Sequence, residues 1–367
     1  MLLILSATPA DSSIQAFHRS FGPTAKLLVA SPTLLWEVWP SSGARVTSVS
    51  MSVNGSPVNA NYNPELRRVE YQPEHPLGAG NYNVACRVKV DDYLTVKKDW
   101  SFQVSSGAVK ILPAPDAAQD QAVREVSRIR AELGLPKPFQ EDRFNAASFA
   151  HSKYLTLNKR TGHFEQPGEP GFVASTPSQR LEVYGYSGGS WECVTYNSGG
   201  IRESIQDLFD APYHRIPFLQ PGRMPIGSGV AGRNFTLKFG NGEVAGPSYS
   251  PGNGQRYVPT SWNANETPNP LRVHMPLPRR VGYPIVFSYF ADESPTLKVV
   301  KAELSRDGVQ VPVFVNSKAN DDRLDNTVFI IPTQPLKPNE RYTVYFEGTV
   351  NDKSRIRHTW SFETGPQ

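Results

Sequence analysis

The residues Gly185-Tyr186-Ser187-Gly188-Gly189 match the Gly-x-Ser-x-Gly pattern in which many serine hydrolases carry their nucleophile. In those enzymes the serine lies on a sharp turn between a strand and a following helix. Here the pattern follows a short predicted helix and continues into a loop rich in Gly and Ser. We therefore do not expect Ser187 to act as a nucleophile.

Another serine, Ser152, directly follows a histidine. Neighbouring residues on a helix point in different directions, so His151 is not placed to act as a general base for Ser152. The two cysteines, Cys86 and Cys193, fall in different predicted domains, which excludes a disulfide framework and indicates buried thiols. The sequence therefore offers no convincing nucleophile.

Length and composition indicate a loop-rich globular protein with several domains. The chain has 367 residues, more than a single domain usually holds. Its 33 Pro and 28 Gly are spread along the chain, and 38% of the residues are hydrophobic, which is enough for packed cores. The net charge of +4 comes from 38 basic and 34 acidic residues without a basic cluster, which argues against nucleic acid as a partner.

The apolar residues of the chain predict neither a transmembrane segment nor a complete signal peptide. No apolar run in the chain reaches the length of a transmembrane segment. The apolar stretch at residues 2–5 has no basic head and is too short for a complete signal peptide, so residues 1–25 are interpreted as a tail with a truncated signal segment. Export is therefore expected only from the family resemblance described below.

The two ends of the chain repeat one pattern. In each copy a Pro-x-x-Pro-Leu segment precedes a Tyr, a Val follows that Tyr by two residues, and a Trp follows it by eighteen. The copies are Tyr82, Val84 and Trp100, and Tyr342, Val344 and Trp360. Alternating apolar residues and the turn pairs Asn54-Gly55 and Asp307-Gly308 predict antiparallel strands. We interpret the copies as two homologous sandwiches, at residues 26–108 and 272–367.

These end domains resemble bacterial immunoglobulin-like modules that flank catalytic or binding domains in exported proteins. The resemblance implies a role as spacers or adhesion units. Large aromatic residues supply much of the apolar burial in small sandwiches, so their Trp and Tyr residues are interpreted as core anchors. We assign these modules no site.

Between the repeats the apolar periodicity becomes helical. It predicts a helix that ends before Gly134, and further helices over residues 142–158, 176–184 and 201–209. Residues 226–230 and 235–239 have the composition of adjoining strands. Residues 112–245 are therefore predicted to form a mixed α and β domain.

Residues 246–271 are predicted to be a linker. They contain five prolines and little periodicity. Trp262, inside this segment, is expected to pack against one of the neighbouring domains.

Several short motifs occur in order along the middle domain. They are Leu133-Gly134-Leu135-Pro136, His151-Ser152-Lys153-Tyr154, Gly162-His163-Phe164, Glu192, Pro212-Tyr213-His214-Arg215 and Ile226-Gly227-Ser228-Gly229. No single motif is specific, but the ordered set is similar to the CAP superfamily (cysteine-rich secretory, antigen 5 and pathogenesis-related proteins, also termed SCP-like), especially its bacterial members. The resemblance implies the α+β fold class, with a central CAP α-β-α sandwich flanked by two all-β immunoglobulin-like sandwich domains.

The resemblance also implies a cleft that gathers histidines and glutamates. Carried over by motif, the histidines are His163 and His214 and one glutamate is Glu192, while Ala211 stands at the place of the second glutamate. Two imidazoles and a carboxylate that converge can bind a divalent metal such as zinc. The remaining residues expected to line this ligand-binding cleft are His151, Tyr154, Tyr186 and Asp210.

The same residues allow a purely structural interpretation. They then form a hydrogen-bonded polar cluster that orients the helices, with each imidazole satisfied by a carboxylate or a carbonyl. Because His163 and His214 lie far apart in sequence, their convergence depends on the family fold alone.

Three functions follow as hypotheses, and the sequence leaves the choice between binding and catalysis open. The first is a secreted or cell-surface protein, associated with the cell wall, whose cleft binds a small ligand, glycan, lipid or peptide. The second is a metal-assisted hydrolase of peptide or cell-wall material, with Glu192 as a metal ligand or general base. The third is a structural module with a vestigial cleft, which the alanine at position 211 supports.

Overall fold

A computed structural model of the chain describes residues 16–41, 43–196, 199–242, 244–276, 278, 280–291 and 295–366. The chain divides into two compact units. The first is Met1–Leu112 with Ser178–Gly188, and the second is Pro113–Pro177 with Gly189–Gln367. The predicted signal segment at residues 2–10 lies outside the described residues.

The first unit contains two β-sheets. Its strands are β1 (Ala16–Gly22), β2 (Lys26–Val29), β3 (Leu34–Pro40), β4 (Val46–Val53), β5 (Ser56–Val58), β6 (Asn61–Asn63), β7 (Arg68–Tyr71), β8 (Gly80–Val90) and β9 (Leu94–Val109). They are ordered β2-β9-β8-β4-β5 in one sheet and β1-β3-β7-β6 in the other. Trp36 and Val69 from one sheet and Cys86 and Trp100 from the other share one core, so the unit is a sandwich.

Strand β1 corrects the predicted start of this module at residue 26. Residues 16–22 pair antiparallel with β3 and therefore belong to the sandwich. The pairing partner supplies the backbone hydrogen bonds of this edge strand, whose own sequence lacks a clear apolar alternation. Most of the predicted tail between residues 16 and 25 is thus part of the sheet.

The mixed part of the second unit contains one sheet and several helices. The elements in chain order are α1 (Ala117–Glu132), β10 (Phe139–Gln140), α2 (Asp142–Asn158), α3 (Pro177–Val183), β11 (Ser190–Tyr196), α4 (Ile201–Asp210), α5 (Pro212–Arg215), β12 (Pro225–Ala231) and β13 (Asn234–Gly240). All of α3 after its first residue groups with the first unit. The sheet order is β10-β12-β13-β11, antiparallel except that β10 runs parallel to β12.

Helices cover both faces of this sheet. Cys193 of β11 packs in the same core as residues of α1 and α4. Its neighbour Val194 packs with Tyr154 and Leu155 of α2. Because successive residues of a strand point to opposite faces, α2 lies on the face opposite α1 and α4. The layers are therefore α-β-α.

The C-terminal part of the second unit is another two-sheet sandwich. Its strands are β14 (Gly246–Ser250), β15 (Ile285–Phe290), β16 (Leu297–Arg306), β17 (Val309–Val311), β18 (Val313–Asn316), β19 (Thr327–Pro332), β20 (Arg341–Val350) and β21 (Ser354–Glu363). The sheets are ordered β14-β15-β19-β18 and β17-β16-β20-β21. Phe287 and Ile330 from the first sheet and Val344 and Trp360 from the second share its core. The chain as a whole belongs to the α+β class, as predicted.

The predicted linker is partly regular structure. Its first residues form β14, which pairs antiparallel with β15 at the edge of the C-terminal sandwich. An edge strand tolerates a proline such as Pro247. Because the segment is rich in proline, the sequence predicted a linker here and not strand β14. We call residues 251–276 the strap. Within the strap, Trp262 packs with Ile216 and Leu271, in agreement with the packing expected for it.

The sequence repeat is one hairpin built twice with the same register. In β8 and β9, Val84 lies opposite Trp100, and the Tyr82 ring stacks on Phe102. In β20 and β21, Val344 lies opposite Trp360, and the Tyr342 ring stacks on Phe362. The conserved spacing of the repeat thus sets a cross-strand pair in each sandwich.

Within the described part of the chain, no helix has both the length and the apolarity needed to cross a membrane.

Candidate functional site

Polar residues of the second unit gather on the sheet face that α2 covers. Glu192 of β11 lies directly opposite Lys238 of β13. The Nζ of Lys238 lies 2.7 Å from Oε2 of Glu192, and the two side chains are 0% and 2% exposed. Lys238 also donates to the carbonyl oxygen of Pro177 at 3.2 Å. The two strands are thus bridged by a buried ion pair.

Two histidines approach the other oxygen of the same carboxylate. The Nδ1 of His163 lies 3.0 Å from Oε1 of Glu192, and the Nε2 of His151 lies 3.7 Å from it. The His163 side chain is 39% exposed, whereas that of His151 is fully buried. His163 is therefore the member of this group that solvent, and a ligand, can reach.

His151 is held between acceptors on both sides of its ring. Its Nδ1 lies 2.9 Å from Oε1 of Glu165, and its Nε2 lies 3.0 Å from the carbonyl oxygen of Gly162. A neutral imidazole has one N–H and can donate to only one of these oxygens, whereas a protonated ring donates to both. The other oxygen of Glu165 accepts the backbone N–H of Val173 at 2.9 Å. We call His151, His163, Glu165, Glu192 and Lys238 the His/Glu cluster.

The loop after α2 carries two members of the cluster back to the sheet. Helix α2 ends at Asn158 and is capped by Lys159, whose φ of +50° is left-handed. Gly162, with a φ of +98°, then reverses the chain, a conformation that favours glycine. The N–H of Gly162 donates to the hydroxyl of Tyr196 on β11 at 2.6 Å. This loop therefore places His163 beside Glu192 and Glu165 beside His151.

Tyr154 does not line an open cleft as predicted. It is fully buried on α2. Its hydroxyl donates to Glu169 and accepts the backbone N–H of Gln166 at 2.9 Å. Burial, together with the hydrogen bond to Glu169, raises the pKa of Tyr154. Tyr154 thus anchors the loop from inside the fold.

His214 lies in a different group from His163. Its Nδ1 lies 2.6 Å from Oε1 of Glu266, a strap residue with a fully buried side chain. The backbone N–H groups of Tyr213 and His214 donate to the same carboxylate at 3.1 and 3.0 Å.

The Cys193 thiol is a poor nucleophile. Burial raises its pKa, and the charges of Glu192 and Glu266 raise the pKa further.

The predicted set of three metal ligands is therefore not assembled. His163 and Glu192 meet, but His214 is paired with Glu266. Across the ranges the structure describes, no group of three or more His, Cys, Asp or Glu residues is arranged to hold a metal ion. The Lys238 ammonium also lies against Glu192, where it would repel a metal cation. The His/Glu cluster thus does not fit the predicted zinc site.

Asp210 has hydrogen-bond partners outside the His/Glu cluster. Asp210 ends α4, where its Oδ1 accepts the hydroxyl of Tyr283 at 2.7 Å and the amide of Gln206 at 3.0 Å. Burial raises the pKa of Tyr283 well above its ordinary value, with a contribution from Asp210. Tyr186 belongs to the segment that groups with the first unit. The ligand-lining roles of Asp210 and Tyr186 stay predictions.

The hydroxyl of Ser152 has a structural role, and Ser187 lies in the wrong order of elements for a nucleophile. The hydroxyl of Ser152 donates to the carbonyl oxygen of Gly229 at 2.9 Å and lies 2.8 Å from the hydroxyl of Thr236, and it is buried. The segment 185–189 follows helix α3 and precedes strand β11, the reverse of the strand-to-helix order of a nucleophile elbow. The contacts of Ser152 agree with its interpretation as non-catalytic, and the element order around Ser187 agrees with the expectation that it does not lie in a nucleophile elbow.

Three charged residues that contact the predicted histidines and glutamate were not identified from the sequence. They are one cation, Lys238, and two carboxylates, Glu165 and Glu266. Lys238 alternates with the apolar residues Phe235, Leu237 and Phe239, and this alternation is typical of a strand with one solvent-exposed face, so it gave no signal that Lys238 is buried. Glu165 follows His163 by two residues, but nothing marked it as a partner of His151. Glu266 lies in the strap, where no periodicity indicates which side chains are buried.

Comparison with known proteins finds one family. Residues 282–364 match the family model described as a bacterial Ig-like domain. No curated protein sequence matches the chain.

Several solved structures are similar to parts of the chain. One is an extracellular protein containing an SCP domain from Bacillus anthracis str. Ames, with 16% identity, 47% of this chain and 64% of that chain covered, and a TM-score of 0.31. The alignment thus spans less than two thirds of that protein. Another is CopC from Methylosinus trichosporium OB3b, with 24% identity, 25% of this chain and 94% of that chain covered, and a TM-score of 0.21.

A third structure is the Bacteroides ovatus mixed-linkage glucan utilization locus SGBP-B, in complex with a mixed-linkage heptasaccharide. It shows 11% identity, with 100% of this chain and 70% of that chain covered, and a TM-score of 0.18. The family match covers residues 282–364, which form most of the C-terminal sandwich. The C-terminal sandwich is thus similar to bacterial Ig-like domains, as the sequence repeat predicted.

Proposed function

We propose that this chain is an extracellular interaction protein with a CAP (SCP-like) domain at residues 112–245, flanked by two immunoglobulin-like sandwiches. The proposal is supported by the ordered CAP motifs and by the α-β-α layering of the middle elements. The Ig-like match in residues 282–364 supports a modular surface protein. We further propose that the CAP domain binds a small ligand, glycan, lipid or peptide at His163, without a resident metal.

The exposed His163 ring carries the proposal of a ligand site. Its Nδ1 is held by Glu192, and Glu192 is fixed from its other oxygen by Lys238. The neighbouring Phe164 is 64% exposed. A fixed imidazole beside an exposed phenyl ring offers a hydrogen bond and an apolar contact, the combination that small binding sites use.

A hydrolase is less well supported by the same geometry. The Glu192 carboxylate is neutralised by Lys238 at 2.7 Å, which weakens it as a general base. The second predicted metal ligand, His214, is engaged by Glu266. The hydroxyl of Ser152 is buried and bonded to the backbone. These contacts favour binding over metal-assisted hydrolysis.

The test compares three probes with the full chain. These are purified peptidoglycan sacculi, vesicles of phosphatidylcholine and phosphatidylglycerol, and a peptide library, each measured with the parent, His163→Ala and His75→Ala. His75 is exposed and lies in the first unit, so its loss controls for removal of a surface imidazole. We expect one probe to bind the parent and His75→Ala equally and His163→Ala at least about tenfold more weakly.

Two results would contradict the proposal. If binding to every probe is insensitive to His163→Ala, the site is vestigial and the structural-module hypothesis gains support. If fractionation of the native host recovers the protein only from the cytosol, the extracellular assignment fails.

A further inference from the structure

The strap covers the C-terminal half of the outer edge of strand β21. This strand is the last one in the sheet ordered β17-β16-β20-β21. The strap residue Gly254 donates its backbone N–H to the carbonyl oxygen of Ser361 at 2.7 Å. The backbone N–H of Glu363 donates to the carbonyl oxygen of Gln255, another strap residue, at 2.8 Å. The backbone groups of Ser361 and Glu363 therefore point away from β20.

The N-terminal half of the same edge has no partner strand. Backbone groups of successive residues in an antiparallel strand point alternately to its two sides. The register between β20 and β21 has no shift, so Arg355, Arg357 and Thr359 point their N–H and C=O groups outward, as Ser361 does. Among the residues that the structure describes, none forms a hydrogen bond with these outward groups. All three residues are exposed, and we call residues 354–359 the open edge.

The N-terminal sandwich leaves the corresponding edge open. There β2 pairs in parallel with the C-terminal part of β9, from Gln103 onward. The backbone N–H of Gln103 donates outward, to the carbonyl oxygen of Ala25 at 3.2 Å. By the same alternation, Thr95, Lys97 and Asp99 point their backbone groups outward, and all three are exposed. The arrangement thus occurs in both copies of the sequence repeat.

The open edge of β21 is the more basic of the two. The side chains of Arg355 and Arg357 are 58% and 60% exposed. Both guanidinium groups pair with the single carboxylate of Glu347, so two positive charges face one negative charge. The corresponding residues of β9 include one basic and one acidic side chain, those of Lys97 and Asp99. The edge of β21 therefore suits an acidic partner.

We propose that the open edge of β21 binds an extended acidic peptide segment of a partner protein as an additional strand. Exposed edge strands bind extended peptides in this way, since main-chain hydrogen bonds supply affinity and the neighbouring side chains supply specificity. Carboxylates at every second position of the segment would lie on the sheet face that carries Arg355 and Arg357. The strap already occupies the rest of this edge, so the edge is able to pair with a further segment.

A second copy of this chain fits the open edge less well. Antiparallel pairing of two copies about Arg357 would place this residue opposite its own counterpart. Like charges directly opposite one another destabilise a strand pair. The proposal goes beyond the ligand site at His163 and does not depend on it, because His163 belongs to the middle domain.

The probe is a fluorescent peptide of about eight residues in which Glu alternates with Thr and Val, a length typical of one strand. One control peptide has Lys in place of Glu. Another has the original sequence with every backbone amide N-methylated, which removes the donors of a strand pair. Fluorescence anisotropy with the full chain measures the affinity of each peptide.

The variants separate the backbone of the open edge from its charge. Thr359→Pro removes one outward N–H and no bond to β20, since an edge strand tolerates proline where its N–H faces solvent. Thr359→Val keeps that N–H and is the matched control. Arg357→Gln removes a positive charge from the edge, and Lys298→Gln is its control, because Lys298 is 58% exposed and pairs with Asp352. Circular dichroism first confirms that each variant is folded.

We expect the parent and both control variants to bind the acidic peptide equally. Thr359→Pro and Arg357→Gln should bind it at least about tenfold more weakly. The Lys peptide and the N-methylated peptide should bind the parent at least about tenfold more weakly as well. His163→Ala should bind like the parent, which distinguishes the open edge from the proposed ligand site.

Hydrogen exchange of backbone amides, followed by NMR on the full chain, gives a second signature. The amides of Arg355, Arg357 and Thr359 should exchange more slowly in the complex, because they gain acceptors. The amides of Ile356 and His358 already face β20 and should exchange at an unchanged rate. Only an added strand produces this alternation.

Four results would overturn the proposal. The first is a parent chain that does not bind the acidic peptide. The second is binding that N-methylation of the peptide leaves unchanged, which would mean charge attraction without an added strand, and this comparison stands even if Thr359→Pro does not fold. The third is loss of binding in His163→Ala, which would place the peptide in the other site. The fourth is self-association of the parent, measured by sedimentation, that Thr359→Pro abolishes, since a second copy would then occupy the edge.

Discussion

The Nδ1 of His214 lies 2.6 Å from Oε1 of Glu266, and the backbone N–H of His214 donates to the same oxygen at 3.0 Å. The strap thus supplies a buried carboxylate to the start of α5, one residue after Ala211. The family pattern placed its second glutamate at position 211, in the helix itself. In this chain a carboxylate partner for His214 comes from a segment far along the sequence.

We predict that Glu266→Ala lowers the free energy of unfolding of the second unit by about 2–4 kcal/mol. The substitution leaves the N–H groups of Tyr213 and His214 without their buried acceptor. Urea denaturation followed by fluorescence measures the change.

The matched control for that variant is Glu132→Ala. Glu132 is 47% exposed and pairs with Arg128 on the surface of α1. Loss of an exposed pair costs about 0–1 kcal/mol. Equal midpoints for Glu266→Ala and Glu132→Ala would show that the strap carboxylate does not stabilise α5.

Local sequence patterns predicted several elements correctly, but they missed the edge strands β1 and β14 and did not predict the contacts of the site. Helix α2 has the predicted bounds, 142–158, because its apolar spacing and its end signals are encoded within the segment. The repeat spacing predicted two homologous sandwiches, and in the first of them the valine and tryptophan of the repeat, Val84 and Trp100, are a cross-strand pair. Each of these features depends on residues within one hairpin or one helix.

The site depends on contacts between distant segments, and these have no periodicity. Glu192 was found through a family motif, but its pairing with Lys238 follows from the strand order of the sheet. His214 was expected beside His163 because the family brings such histidines together. The strap carboxylate of Glu266 engages it instead, and a proline-rich segment gives no signal for which of its side chains is buried.

A second prediction concerns the close approach of α2 to β12. A Cβ on Gly229 would overlap the backbone N of Phe149, so Gly229→Ala forces the helix away from the sheet. We expect a loss of roughly 3 kcal/mol or more in the free energy of unfolding. Gly199→Ala is the control, since its Cβ would meet only Glu203 Cγ at 3.9 Å. A Gly229→Ala protein as stable as Gly199→Ala would contradict the packing described for α2.

Replacement of His151 should lower the free energy of unfolding more than replacement of His163. His151 is fully buried, and its loss removes a partner of Glu165 and leaves a cavity beside α2. His151→Ala should therefore cost about 3 kcal/mol or more, whereas His163→Ala, at a 39% exposed position, should cost less than about 1 kcal/mol. Thermal unfolding of both variants at one pH tests the order. The reverse order would mean that the exposed ring, and not the buried one, supports the fold.

The decrease of the free energy of unfolding at acid pH should depend on Asp321, in the C-terminal sandwich. Burial alone would raise the pKa of this carboxyl, but hydrogen bonds from Tyr213, Asn316 and Arg272 outweigh burial and lower its pKa below the ordinary 3.8. The folded state therefore holds this proton less tightly than the unfolded state. Stability from Asp321 is present above pH 3.8 and is lost as the pH falls through the lowered, folded-state pKa.

Asp321→Asn should accordingly reduce stability at neutral pH and flatten the decline of the free energy of unfolding below about pH 4. Asp322→Asn is the control, because Asp322 is 91% exposed. In this variant Arg272 retains its ion pair with Asp321. Urea denaturation at about five pH values between pH 2.5 and pH 7 measures how the free energy of unfolding of each variant depends on pH. If Asp321→Asn runs parallel to the parent over the whole range, the hydrogen bonds from Tyr213 and Arg272 do not favour the ionised carboxylate, and the acid sensitivity of the sandwich lies in other groups.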